Sequence, residues 1–195
     1  MKNDFGYKYQ IGGIGKLLIN NFYQKLGQLI GGLKITNILE VGAGEGYSSQ
    51  ILQKLLPANA NFDISEFEID LIDKIKEKVK GCQVTQDDIY GMNKQDSQYD
   101  LIFCLEVLEH LEKPIEAIRE LQRVTNKYVI LSIPNEPLWR VLNMARGKYW
   151  GDFGNTPGHL QHWNVNSIQK LTSEYFTIEK IVTPLPWIIL LLKKK

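Results

Sequence analysis

The chain has 195 residues, 44% hydrophobic and 23% charged, with a formal net charge of +1. This composition predicts one globular domain with a full core, and it supplies no global basic field of the kind that DNA or RNA recognition uses. Cys82 and Cys104 fall in strand contexts and read as buried thiols of a reducing compartment; no apolar leader opens the chain, so the cytoplasm is the expected location.

Residues 1 to about 12 read as a loose polar lead-in. Ile14 to Ile30 carries Leu17, Leu18, Phe22, Leu26, Leu29 and Ile30 at helical spacing, and Gly31-Gly32 stops it. Lys34 to Val41 reads as an apolar strand running straight into Gly42-Ala43-Gly44-Glu45-Gly46, with a helix following from Tyr47. Strand, glycine turn and helix together make the opening of a Rossmann-like unit. The turn lacks the lysine of a P-loop, and Tyr47 stands where a dinucleotide turn has its third glycine. Glu40 and Glu45 are poor company for a pyrophosphate and suit a cationic ligand. A nucleotide-dependent oxidoreductase is therefore disfavoured.

The string Glu40-x-Gly42-x-Gly44-x-Gly46 resembles motif I of class I S-adenosylmethionine-dependent methyltransferases. The resemblance runs from about Ile35 to the C-terminus. It implies an α/β fold, a Rossmann-like doubly wound seven-stranded sheet, mostly parallel with an antiparallel last strand. It also implies S-adenosylmethionine as cofactor, with contacts at Glu40, Gly42, Ala43 and Gly44.

Further along, Phe62-Asp63-Ile64 reads as the end of a second strand, and Ser65-x-x-Glu68 matches a capping box before a helix carrying Ile69, Ile72, Ile75 and Val79. Asp63 lies about twenty residues beyond the glycines, where an acid accepts hydrogen bonds from ribose hydroxyls. The resemblance thus adds Asp63 and Ile64 to the cofactor site. Cys82 to Thr85 reads as a third strand. The resemblance implies an adenine contact at Asp88-Ile89, with Asp87 the alternative one residue off.

Tyr99 to Cys104 is a continuous apolar strand of the kind buried on both faces, and the resemblance implies a further cofactor contact at Cys104, at its end. It leads into Glu106-Val107-Leu108-Glu109-His110-Leu111, which resembles the segment after the fourth strand in small-molecule methyltransferases, ubiquinone-type O-methyltransferases among them. On a helix Glu106, Glu109 and His110 would share one face. A helix opened by Pro114 and a fifth strand, Tyr128 to Asn135, follow.

Residues 136–165 interrupt this regularity with Trp139, Tyr149, Trp150, Phe153 and Trp163, aromatics expected to wall a substrate pocket. A helix over 166–175 and two strands, Phe176 to Val182 and Trp187 to Leu192, close the chain. The last apolar run is too short to span a bilayer, which takes about 20 residues. It reads as a final antiparallel strand, with peripheral membrane contact the other reading. The expected organisation is one domain: a helical cap (1–33), a cofactor-binding core (34–135), a substrate lid (136–165) and a C-terminal helix and hairpin.

Transfer of an activated methyl mainly requires alignment, and an oxygen acceptor also needs a base or a metal. Glu109, His110, His159 and His162 are the candidate catalytic residues, and all three histidines of the chain are among them. Glu106, Glu109, His110 and His159 form a candidate divalent-metal set, because Glu-x-x-Glu-His with a histidine four residues before a tryptophan resembles small-RNA 2′-O-methyltransferases. The expected acceptor is a small, partly apolar molecule methylated on oxygen. The alternatives are a metal-assisted RNA 2′-O-methyltransferase-like enzyme and a non-catalytic cofactor-binding module.

Overall fold

A computed structural model describes residues 13–195 except 146 and 148; the lead-in expected over residues 1 to 12 lies outside the described residues. The elements in chain order are α1 (Ile14–Ile30), β1 (Asn37–Val41), α2 (Tyr47–Leu55), β2 (Asn61–Glu66), α3 (Ile69–Lys78), β3 (Gln83–Gln86), β4 (Tyr99–Leu105), α4 (Pro114–Val124), β5 (Thr125–Pro134), α5 (Glu136–Ala145), α6 (Val165–Ser173), β6 (Phe176–Val182) and β7 (Trp187–Lys194).

The strands form one seven-stranded sheet in the order β3-β2-β1-β4-β5-β7-β6. Pairings from β3 through β5 are parallel, and β7 lies antiparallel between β5 and β6. This is the expected doubly wound α/β architecture. The apolar run Trp187 to Leu192 is buried by its two neighbouring strands and both flanking layers, so the structure gives it no free face for a membrane.

Strand alternation divides the core in two. Ile38, Leu101, Phe103 and Ile130 face Leu26 of α1, Leu52 of α2 and Ile75 of α3. Their chain neighbours Leu39, Ile102 and Val129 face Ile118 and Leu121 of α4 and Ile168 of α6. All seven residues of β4 are buried, which is why that strand is apolar without alternation. Burying each large aliphatic or aromatic side chain contributes roughly 1.5–3 kcal/mol. Asp100 is the polar exception: its carboxylate accepts the Thr36 N–H at 2.8 Å and pairs with Lys127 at 3.0 Å, tying the entry of β1 to β4 and β5. Because β1 to β5 run parallel, their carboxyl ends share one rim. Each loop that carries candidate chemistry leaves from it.

Candidate active site

At the end of β1, Glu40 is 1% exposed, and its Oε2 has no hydrogen-bond partner. Burial pushes its carboxyl up to about 7, against the hydroxyls of Ser48 and Ser49 on the first turn of α2, with Glu66 adding repulsion. A buried carboxyl oxygen without a donor is costly, and a proton or a bound hydrogen-bond donor relieves it. The glycine turn is shaped by its neighbours: Gly42 has φ +71°, and a Cβ there would lie 2.6 Å from Val107 Cγ2. Gly46 has φ +80° and packs on Ile75. Ala43 is buried between them, and the N–H groups of Gly42 and Ala43 both donate to the Ser65 carbonyl.

Asp63 is not at the strand's carboxyl end. Strand β2 continues to Glu66, and Asp63 pairs with Leu39 in its interior while accepting the Tyr99 hydroxyl at 2.7 Å. That places it three residues, about 10 Å, from the rim. Ile64 is likewise a core residue, fully buried toward α1 and α2. The acid at the rim is Glu66, which accepts the Gly44 N–H at 2.7 Å through Oε2 and the Phe67 and Glu68 N–H groups through Oε1. The expected capping box does not form: Ser65 Oγ donates to the Glu40 carbonyl at 3.4 Å, and α3 starts without a side-chain cap.

Of the two acids after β3, Asp87 is occupied, with Lys94 at 3.2 Å, the Thr85 hydroxyl at 2.6 Å and the Asn93 N–H at 3.1 Å. Asp88 remains exposed and caps the Tyr90 N–H, while Ile89 is buried under the sheet's second face. Cys104 is fully buried near the end of β4; burial pushes its thiol up, with Glu109 adding to the shift.

The segment after β4 differs from the expected helix. Glu106 has φ +58°, a left-handed conformation that costs an ordinary residue about 1–2 kcal/mol, and only a single 3-10 turn follows, Leu108–His110. Glu106 is anchored there by the Ser132 hydroxyl at 3.1 Å and the Trp187 indole N–H at 2.7 Å. It consequently parts from Glu109 and His110 rather than sharing a face with them, and it does not join their cluster.

His159 comes from the lid instead. The ligand atoms of Glu109, His110 and His159 lie within 4.8 Å of one another. The two imidazoles meet edge to face with centroids 5.1 Å apart. His110 Nδ1 lies 2.9 Å from the Gly158 carbonyl, and His159 Nδ1 lies 2.7 Å from Glu136 Oε1. Because a carbonyl and a carboxylate only accept, each Nδ1 donates to its partner. The lid is pinned over the 3-10 turn by the Leu160 and Gln161 N–H groups, which donate to the Glu109 carbonyl at 2.8 and 3.0 Å. His162 stays outside the cluster, half exposed, with Nδ1 3.6 Å from Glu136 Oε2 and Nε2 3.5 Å from Arg140.

The lid aromatics divide. Trp139 and Trp163 are partly buried, and Trp139 stacks toward His159 and donates to the Thr156 hydroxyl at 2.8 Å. Tyr149, Trp150 and Phe153 stand in solvent and wall no pocket. Glu66 and Glu136 escaped sequence reasoning for different reasons. Glu66 was legible as the last residue of β2, but Ser65-x-x-Glu68 mimicked a helix start; nothing in the sequence links Glu136 to a histidine 23 positions later.

Residues 16–175 match the family described as a methyltransferase domain. The chain belongs to that family. A stretch of 103 residues is 30% identical to an uncharacterized methyltransferase of Schizosaccharomyces pombe, covering 47% of this chain and 37% of that protein. The aligned part thus spans about a third of that curated relative. Among solved structures, a SAM-dependent methyltransferase from Aquifex aeolicus superposes with a TM-score of 0.74 at 16% identity over 100% of both chains. The magnesium protoporphyrin IX methyltransferase of Synechocystis PCC 6803, solved with S-adenosylhomocysteine bound, superposes with a TM-score of 0.72 at 18% identity over 99% of this chain and 96% of that one. At these identities the structural likeness establishes the fold.

Proposed function

We propose that this methyltransferase domain moves a methyl group from S-adenosylmethionine to an oxygen atom of a small, partly apolar acceptor. The observation that carries the reading is the buried Glu136–His159 pair, whose imidazole gathers with Glu109 and His110 at the sheet's carboxyl rim. When bound, the cofactor supplies an already activated methyl. Glu40 holds its amine, Glu66 its ribose and Asp88 its adenine, while Gly42 and Gly44 let the backbone come close. His159 takes the acceptor's hydroxyl proton at Nε2, and Glu136 stabilises the resulting imidazolium through Nδ1. Trp139 and Trp163 supply apolar surface near the histidine and help exclude water.

Incubation with methyl-labelled S-adenosylmethionine and a panel of phenolic and lipid-like alcohols tests this. Labelled methyl ether product that is lost in His159→Ala supports it. Methylation of nitrogen, carbon or an RNA oligonucleotide, or undiminished turnover in that variant, overturns it.

A second reading rests on the same cluster. Glu109 with the imidazoles of His110 and His159 makes a one-carboxylate, two-imidazole set for a divalent cation, and each histidine already has at Nδ1 the outer acceptor that orients metal-bound imidazoles. A cation held there would lower the pKa of an acceptor hydroxyl. Calorimetric titration with Mg²⁺ and Mn²⁺ decides: heat abolished by Glu109→Gln supports the cation, and no heat in the wild type removes it.

A further inference from the structure

The crossover from β3 to β4, residues 87–98, carries neither helix nor strand, although a parallel connection of this kind is usually helical. A stretch of that length without a hydrogen-bonded ladder keeps one shape only if its neighbours hold the backbone. Much of that holding comes from two side chains on α4, Glu120 and Arg123. Arg123 Nε donates to Glu120 Oε2 at 2.8 Å and Nη2 to Glu120 Oε1 at 2.6 Å, a bidentate pair. Its other guanidinium hydrogens go to the loop: Nη2 to the Met92 carbonyl at 3.1 Å, and Nη1 to the Lys94 carbonyl at 2.8 Å and the Asp96 carboxylate at 2.6 Å. Glu120 Oε1 also accepts the Met92 N–H at 2.7 Å. Both backbone groups of Met92 therefore end on this pair. The hydrogen bond from Arg123 holds the Glu120 carboxyl below its usual range, so the pair stays charged at neutral pH.

Met92 directly follows the turn that carries Asp88. Asp88 Oδ1 accepts the Tyr90 N–H at 2.9 Å and the Asp88 carbonyl accepts the Gly91 N–H at 3.0 Å, which closes residues 88–91 into a turn. On its upstream side the Asp87 N–H donates to the Glu66 carbonyl at 3.1 Å. The turn is thus slung between the end of β2 and the Glu120–Arg123 pair. Ile89 and Met92 add buried apolar surface beneath it, but apolar burial is non-directional, whereas hydrogen bonds to both groups of one peptide fix the way the backbone faces.

We propose that Arg123, held by Glu120, is a positioning residue for the cofactor's base: by clamping Met92 and Lys94 it sets the orientation of the Asp88 turn, and with it the selectivity for adenine over a purine bearing a carbonyl in place of the exocyclic amine. The inference rests on the reading that Asp88 holds the adenine. A carboxylate accepts a hydrogen bond from the exocyclic amine and repels a carbonyl oxygen, so the base is distinguished only while the turn keeps Asp88 in hydrogen-bonding geometry. Arg123 acts through the backbone alone.

The test is calorimetric titration of the full chain with S-adenosylhomocysteine and with its hypoxanthine analogue, S-inosylhomocysteine. Wild type is expected to prefer the adenine ligand by roughly 10–100-fold, the worth of a hydrogen bond to a charged group. Asp88→Ala and Arg123→Ala should each bring that ratio to within about threefold. A merely structural role for Arg123 would weaken both ligands alike and leave the ratio unmoved. A wild-type ratio in Arg123→Ala, with the ratio lost in Asp88→Ala, overturns the positioning role and leaves Asp88 on the base. No preference in wild type, or one that survives in Asp88→Ala, overturns both. If Arg123→Ala gives no cooperative melt, Arg123→Lys decides, because it keeps the charge and the apolar stem but not the planar fork. Its ratio should fall below that of wild type, and an unchanged ratio there overturns the proposal.

Discussion

The carboxylate of Glu66 accepts the backbone N–H of Gly44 at 2.7 Å, so the last residue of β2 is latched directly to the glycine turn that follows β1. The rim acid of β2 and the glycine turn thus form one unit. The acid read from the sequence, Asp63, instead serves the interior by holding Tyr99.

These two acids should separate cleanly on substitution. Glu66→Ala is expected to weaken S-adenosylmethionine binding by about 1.5–3 kcal/mol, the worth of hydrogen bonds to a charged group. Asp63→Ala should leave that affinity within about twofold and lower stability by roughly 1–3 kcal/mol, because Tyr99 is buried and loses a partner. Calorimetry and thermal melts on both variants check this. The reverse pattern would return Asp63 to the site.

Glu40 makes the free protein's behaviour depend on pH. Burial raises its carboxyl from 4.5 to about 7. The folded chain therefore holds this proton more tightly than the unfolded chain. The associated stability is fully present below about pH 4.5, declines as pH rises and is gone above about pH 7. Glu40→Gln should accordingly stabilise the free protein at pH 8 by something on the order of 3 kcal/mol and change little near pH 4. Cofactor affinity of the wild type should rise between about pH 6 and 7.5 as the carboxylate forms, and the variant should lose that rise. A melt at pH 8 in which Glu40→Gln is no more stable than wild type contradicts the assignment.

The dyad should act on turnover rather than on cofactor affinity. His159→Ala is expected to lower turnover by about 10²–10⁴-fold. Glu136→Ala should have a smaller effect in the same direction, because the imidazole remains but loses its orienting acceptor. S-adenosylmethionine affinity should stay within about twofold in both. A variant that loses cofactor binding as severely as turnover would instead mark the pair as structural.

Gly42→Ala tests the close packing of the turn. A Cβ at this residue meets Val107, whose branched side chain has little rotational freedom, and the φ of +71° strains any other residue. A loss of roughly 2 kcal/mol in stability is expected, accompanied by weaker cofactor binding. A melt indistinguishable from wild type would mean that Val107 yields at no cost.

Local chemistry in the sequence was enough for the fold and for where the glycine turn sits. Continuous apolar runs such as Tyr99 to Cys104 require cover on both faces, and glycines between Glu40 and Tyr47 permit only a tight turn before a helix, so the doubly wound sheet and the Glu40 position follow from short-range pattern. The acceptor side followed other rules. Glu106 left its expected helical face because Ser132 and Trp187, 26 and 81 residues away, hold it in a left-handed conformation. Glu66 was hidden because a strand end and a capping box share the same residue types, and only the pairing of β2 with β1 and β3 decides between them. His159 reached Glu109 and His110, while His162 did not, because the lid is pinned to the 3-10 turn by backbone hydrogen bonds that any sequence can make. Periodicity and turn chemistry are local and were legible; the meeting of groups carried on separate loops depends on how the sheet brings its carboxyl ends to one rim, and only the tertiary structure decided it.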